Sequence, residues 1–328
     1  MQLSNSVSDN YTQVEQDYID LLSGAKKANM GTYVHMHRPE TYEKVIRQEE
    51  YYPFRLESAL LIQKAAQISS MLQDITQVIE IGPGSYTAMA TKTIPFLKGL
   101  KLHSSFSNYA ALDVILEYAQ DACKIIKEQF PDIKTQAIER DLSSTTKMQS
   151  IESNQNNKGN KLLFGFSVIF PNNHDQHREI SLKNVSSLLN ENDYVIFGID
   201  TNQDEVMLER AYNTDCSYEL LLNTMHHLKN TFNLYDFDPE GFDMVYKWNK
   251  EESRVELFLK SKMKQIVKIR DQEFVIDKDK ELNIINSRKS KMSHVEDLFN
   301  KTGLIIKEVV TFDDQLKDKF SMIIAQKK

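Results

Sequence analysis

Beyond residue 72 the apolar residues gather in short unbroken runs, at 78–81, 109–112, 135–138, 162–170 and 194–199. Runs of that length with no polar alternation describe strands covered on both faces, as in a parallel sheet. Helical spacing fills the gaps between several of them, most clearly over 114–130 and 176–189. Upstream, a helix is predicted over 40–50. It stops at Tyr51-Tyr52-Pro53, because proline disfavours a helical residue before it. Another helix over 57–72 has an apolar face of Ala59, Leu60, Ile62, Ala65, Ala66 and Ile68. The first 30 residues are polar and weakly patterned, and only partial order is expected of them.

After residue 200 the pattern changes. Residues 203–234 read as two helices broken near Thr214-Asp215. Three strand-like runs follow, at 244–248, 255–259 and 265–269, and suggest an antiparallel meander. A last unit comprises a strand at 283–286, a helix over 293–302 closed by Gly303, and strands at 305–311 and 320–325 that would close the sheet edge as an antiparallel pair. Residues 151–160, rich in Asn, Ser and Gln, are a surface loop. The predicted fold is α/β. A doubly wound core is formed by 61–200 and 283–328, and a second, α+β domain by 1–60 and 201–282.

Composition narrows the function. With 41% hydrophobic and 27% charged residues, the 328-residue chain can bury a large core. A formal charge of -7 argues against a nucleic-acid binder, which needs a positive field to pair phosphates. Cys123 and Cys216 form no CxxC, which fits a reducing compartment without a disulfide framework. No apolar run reaches the ~18 residues of a membrane span, and the polar start lacks a signal-peptide core, so a soluble cytoplasmic protein is expected. His174 and His177 lie three apart with no partner at ligand spacing, and no metal is expected. His226-His227, being adjacent, cannot share a helix face and read as structural.

The chemistry concentrates at Val78-Ile79-Glu80-Ile81-Gly82-Pro83-Gly84-Ser85, where an apolar strand enters a Gly-x-Gly turn that lets a ligand approach the backbone. The third glycine of the dinucleotide fingerprint is replaced by Thr87. Asp113 ends the next strand, where an acid can accept ribose hydroxyls; a helix N-cap is the other reading. Asp141 follows the third strand, where an acid can accept from an adenine amino group; a loop or cap carboxylate is the other reading. Ligands of open α/β sheets bind beyond the carboxyl ends of the strands, where these positions converge.

Tyr51-Tyr52-Pro53-Phe54-Arg55-Leu56-Glu57 resembles an element of the histidine Nα-methyltransferase family of ergothioneine biosynthesis. Glu80-Ile81-Gly82-Pro83-Gly84, Leu112-Asp113-Val114, Arg140-Asp141-Leu142, Gly198-Ile199-Asp200, Ala211-Tyr212-Asn213 and Asn286-Ser287-Arg288-Lys289 follow in that family's order, and the resemblance spans roughly residues 40–328. It implies a Rossmann-like core, mostly parallel with an antiparallel C-terminal strand, that binds S-adenosylmethionine (SAM). It further implies methyl transfer to the amino nitrogen of an amino acid or small amine enclosed between two domains. Glu80, Gly82, Gly84, Asp113, Asp141 and Leu142 would line the cofactor. Tyr52, Asn172, Tyr212, Ile285 and Ser287 would line the substrate, with Asn172 and Tyr212 as the residues that orient the reacting amine.

The chain departs from the family in three places. Ile285 stands where the family has a Glu that reads the imidazole. Bulky Phe166, Phe170 and Pro171 surround Asn172. Ala88 occupies the place of a lysine after the glycine turn. An aliphatic residue cannot accept a bond from an imidazole N–H, so a substrate other than histidine is expected. An O- or peptide acceptor, or a SAM-binding scaffold without turnover, are the alternative readings.

Overall fold

The structure is a computed structural model that describes residues 11–25, 30–38, 40–143, 151, 159–166 and 175–328, the side chains of 175–177 excepted. Asn172, Phe170, Pro171 and His174 therefore lie outside the described residues. Among the described residues, twelve strands follow one another: β1 (Ile75–Ile81), β2 (Asn108–Asp113), β3 (Lys134–Glu139), β4 (Asn160–Gly165), β5 (Tyr194–Asp200), β6 (Phe242–Asn249), β7 (Arg254–Ser261), β8 (Gln265–Ile269), β9 (Gln272–Ile276), β10 (Glu281–Arg288), β11 (Leu304–Thr311) and β12 (Phe320–Lys327).

Seven of them build one sheet in the order β11-β12-β5-β4-β1-β2-β3. β1 to β5 are parallel, and β12 runs antiparallel between β5 and β11. This is the expected α/β core with its antiparallel closing pair. The strand order reverses between β1 and β4, which opens a crevice beyond their carboxyl ends. The unbroken apolar runs are explained by a core on each face. Ile79, Leu112, Leu163 and Phe197 pack under the helices Asp175–Ser187 and Met292–Lys301. Val78, Tyr109, Leu162 and Phe164 meet the helices Tyr52–Met71, Ile94–Leu100 and Leu116–Gln129 on the other side.

The region after residue 200 differs from the expected meander. β6 and β7 do pair, but the other neighbour of β7 is β10, while β8 and β9 form a separate hairpin. β9 escapes the hydrophobic pattern because it begins Gln272-Glu273 and buries only Ile276 fully. β10 joins this small sheet and not the core, so residues 283–288 belong on the other side of the expected boundary. Its alternating burial marks a strand with one covered face.

The described parts of the N-terminal segment, residues 11–25 and 30–38, are tied into the fold. Thr12 and Glu15 form a capping box that opens the helix Gln13–Ser23. Tyr18 of that helix is fully buried and donates to the Thr224 carbonyl at 2.9 Å. Asn223 donates to the carbonyls of Val34 and Arg38 and to the Thr41 hydroxyl, at 2.7, 3.1 and 2.8 Å. Arg270 grips Glu15 with two bonds of 2.7 Å. Polar side chains thus tie the described residues between 12 and 47 to the helix Asp215–Thr231 and the β8–β9 hairpin. Among the described residues, no helix is long and apolar enough to cross a membrane.

Candidate active site

A cavity of about 480 Å³ opens beyond the carboxyl ends of β1, β2 and β3 and continues under the N-terminal segment, the helices Glu205–Tyr212 and Asp215–Thr231, and β10. At its core end, Gly82 and Gly84 take φ of 58° and 70°, the left-handed region that favours glycine. The Gly82 N–H donates to the Leu112 carbonyl at 2.7 Å, so the turn leaves β1 still paired with β2. Ser85 then caps the next helical turn, accepting the Ala88 N–H.

Asp113 lines the cavity where β2 ends. One of its oxygens accepts the Ile115 N–H at 3.0 Å, and burial lifts its carboxyl to about 6. The helix that follows takes Ile115 as its cap position, so Asp113 is not that cap. Asp141 and Leu142 line the same wall. The Asp141 carboxylate takes two bonds of 2.7 Å from the Ser143 N–H and hydroxyl, and the Leu142 carbonyl accepts Asn184 at 2.8 Å. Among the described residues, Glu40, Glu43, Asp113 and Asp141 line the cavity against one guanidinium, that of Arg140. That set of acceptors suits a ligand that carries positive charge and hydroxyl or amino hydrogens.

At the other end, β10 carries a bulge between Asn283 and Ile285. The irregularity brings four consecutive residues, Ile284 to Ser287, to the cavity wall, which a regular strand would turn alternately away. Tyr212 lines the same region. Its hydroxyl lies 2.8 Å from the Ser287 oxygen, and its ring packs edge-on against Tyr51 with centroids 5.6 Å apart. Behind them is Lys289, fully buried. Its Nζ is 2.7 Å from Asp200, 2.7 Å from the Tyr212 hydroxyl and 3.0 Å from Ser287. An ammonium has three hydrogens and no acceptor, so all three are used and both hydroxyl oxygens accept from it. Burial pushes Lys289 below the ordinary lysine range, and the Asp200 carboxylate opposes that shift. Burial holds the Tyr212 phenol well above its usual range, so it stays protonated.

Two expected site residues lie elsewhere. Tyr52 is fully buried and donates to Asp200 at 2.8 Å; its neighbour Tyr51 takes the cavity wall, since consecutive residues entering a helix point in different directions. Glu80 faces the opposite side of β1 from Ile79 and Ile81, by the two-residue alternation of a strand. There it accepts from Thr93 and Tyr109, and burial lifts it to about 7. Gly82, Gly84, Asp113, Asp141, Leu142, Tyr212, Ile285 and Ser287 are brought together around one cavity, and Asn172 lies outside the described residues.

Phe166 is buried against Phe96 and Phe164 and leaves the cavity wall to others. Ala88 packs with Ile46 and Phe54. Four residues on, in the π-helical turn Met89–Thr93, Lys92 is buried 2.8 Å from Glu57 and over the Phe54 ring. Sequence reasoning passed over Lys289, Asp200 and Lys92 as functional or structural charges. Besides the family-like elements that contain Asp200 and Lys289, a signal was the two-residue spacing of Ser287 and Lys289, which sets them on one side of extended chain.

The family described as histidine-specific methyltransferase, SAM-dependent, matches residues 38–327. The chain belongs to this family. It is a SAM-dependent N-methyltransferase. A histidine N-alpha-methyltransferase of Mycobacterium tuberculosis is 24% identical over 242 residues, covering 73% of this chain and 72% of that protein. The N-methyltransferase fsqC of Aspergillus fumigatus is 24% identical over 268 residues, covering 80% of this chain and 70% of that protein. A SAM-dependent methyltransferase from Clostridium acetobutylicum superposes with a TM-score of 0.43 at 16% identity, over 88% of this chain and 96% of that one. In this methyltransferase the acid-lined end of the cavity fits SAM, whose sulfonium and ammonium are cationic and whose ribose and adenine offer hydrogens to carboxylates.

Proposed function

We propose that this methyltransferase acts on the amino nitrogen of an amino acid or related small amine other than histidine, with SAM held by Gly82, Gly84, Asp113, Asp141 and Leu142. Bound SAM supplies a methyl group on a sulfonium, a strong leaving group, so the chain needs little acid–base machinery. Its own task is to present a neutral amine in line with that methyl group, where alignment alone is worth about 7–11 kcal/mol. Tyr212 and Ser287 are suited to hold the polar end of the acceptor. Lys289 fixes their oxygens, and Tyr51 closes the wall beside them. The two free cysteines accord with a cytoplasmic setting.

The observation that carries the exclusion of histidine is Ile285 at the cavity wall, beside Ile284 and Leu257. Ile285 itself offers an imidazole N–H no acceptor, and a bond lost in this way costs about 1–3 kcal/mol. On about 1.4 kcal/mol per decade, that lowers histidine turnover by roughly one to two orders of magnitude against a fitting substrate. The test compares kcat/KM for histidine, tryptophan, tyrosine and aliphatic amino acids with SAM in excess. An apolar or aromatic acceptor is expected to lead. Histidine as the best acceptor would overturn the reading, and SAM binding without turnover of any amine would favour a scaffold instead.

A further inference from the structure

Glu43 sits in the helix Glu40–Arg47 and lines the cavity beside Gly82, Gly84 and Ser85. Its Oε2 is fixed by the Thr87 hydroxyl at 2.7 Å and approached by Arg47 at 3.3 Å. Its Oε1 is buried and has no partner among the described residues. A desolvated carboxylate oxygen without a donor is costly, so such an atom marks a place where a donor belongs. Thr87 lies three residues past Gly84, and its bond to Oε2 sets the Glu43 carboxylate beside the glycine turn.

We infer that Glu43 receives the α-ammonium of SAM through Oε1. The inference rests on the assignment of the glycine turn to the amino-acid end of the cofactor. That end carries one cationic and one anionic group, and beside a carboxylate only the ammonium is favourable. Arg47, with its side chain 70% exposed, answers the other oxygen from the solvent side. Glu43 therefore makes the N-terminal segment part of the cofactor site: binding bridges the turn after β1 to the helix that roofs the cavity.

The test is calorimetric and needs no turnover. S-adenosylhomocysteine and its counterpart lacking the α-amino group are titrated into the wild type, Glu43→Gln and Asp113→Asn. Glu43→Gln is expected to weaken S-adenosylhomocysteine by about tenfold or more, the worth of one charge-assisted bond, and to leave the des-amino compound unchanged. Asp113→Asn should weaken both. Equal affinity of wild type and Glu43→Gln, or equal loss with both compounds, overturns the inference. So does a loss seen with SAM and not with its thioether product, which would assign the carboxylate to the sulfonium. If Asp113→Asn weakens neither compound, the cofactor assignment itself fails. Should Glu43→Gln not fold, Glu43→Asp carries the same comparison, with its retained but withdrawn charge expected to give a smaller loss of the same selectivity.

Discussion

Lys289 reaches the Tyr212 hydroxyl at 2.7 Å from behind the cavity wall, across 77 positions of sequence. The phenol therefore presents its own hydrogen away from the lysine, toward Ser287, Tyr51 or a bound ligand. The charge that sets this polarity is neutralised by Asp200, which Tyr52 also contacts at 2.8 Å.

Lys289→Met should be severely destabilising, because it strands the Asp200 carboxylate in a site with no exposure. Breaking a buried pair in this way costs about 3–5 kcal/mol. Adding Asp200→Asn should recover part of that loss. Urea denaturation of both single variants and the double variant gives the coupling; strictly additive losses would show that the two charges do not act as a pair.

Gly198 on β5 has no room for a side chain. A Cβ there would lie 2.1 Å from Glu57 Oε1 and 2.9 Å from Phe320 Cζ. Gly198→Ala must move the carboxylate that holds Lys92, and a loss of about 3 kcal/mol is expected. Equilibrium unfolding measures it, and a change below about 0.5 kcal/mol would place Glu57 elsewhere.

The raised Asp113 carboxyl gives cofactor affinity a pH dependence. Below about 6 the group is protonated and loses part of its accepting capacity, so S-adenosylhomocysteine should bind progressively more weakly as pH falls through that value. Asp113→Asn should bind weakly with no such inflection. Titrations at pH 5, 6, 7 and 8 decide it.

Glu80 gives stability its own dependence. Burial lifts the carboxyl from 4.5 to about 7, so the folded state holds the proton more tightly than the unfolded chain. Its contribution is full below 4.5 and is lost as pH rises through about 7, a change on the order of 3 kcal/mol. Glu80→Gln should flatten the stability profile across that window. Parallel profiles for wild type and variant would place the titration elsewhere.

Much of the core was legible because strands buried on both faces read as unbroken apolar runs, and because glycine and acid at successive strand ends mark one crevice. The small sheet was harder. β10 alternates, its bulge is invisible in sequence, and β9 is polar at its start. Tyr51 and Tyr52 are indistinguishable until the entry angle of the helix separates the cavity wall from the core. Buried lysines were the least legible of all. Lys92 and Lys289 look like solvated charges, and the partners that make their burial tolerable, Glu57 and Asp200 above all, are distant in sequence.

The position of β12 bears on how the molecule is made. It is synthesised after every other strand of the central sheet, yet it lies between β5 and β11 and brings Phe320 against Gly198. Until it emerges, one side of β5 is an open and largely apolar edge of a parallel sheet, a surface prone to pair with another chain. A ribosome-bound intermediate stalled before β12 should thus be a substrate for chaperones.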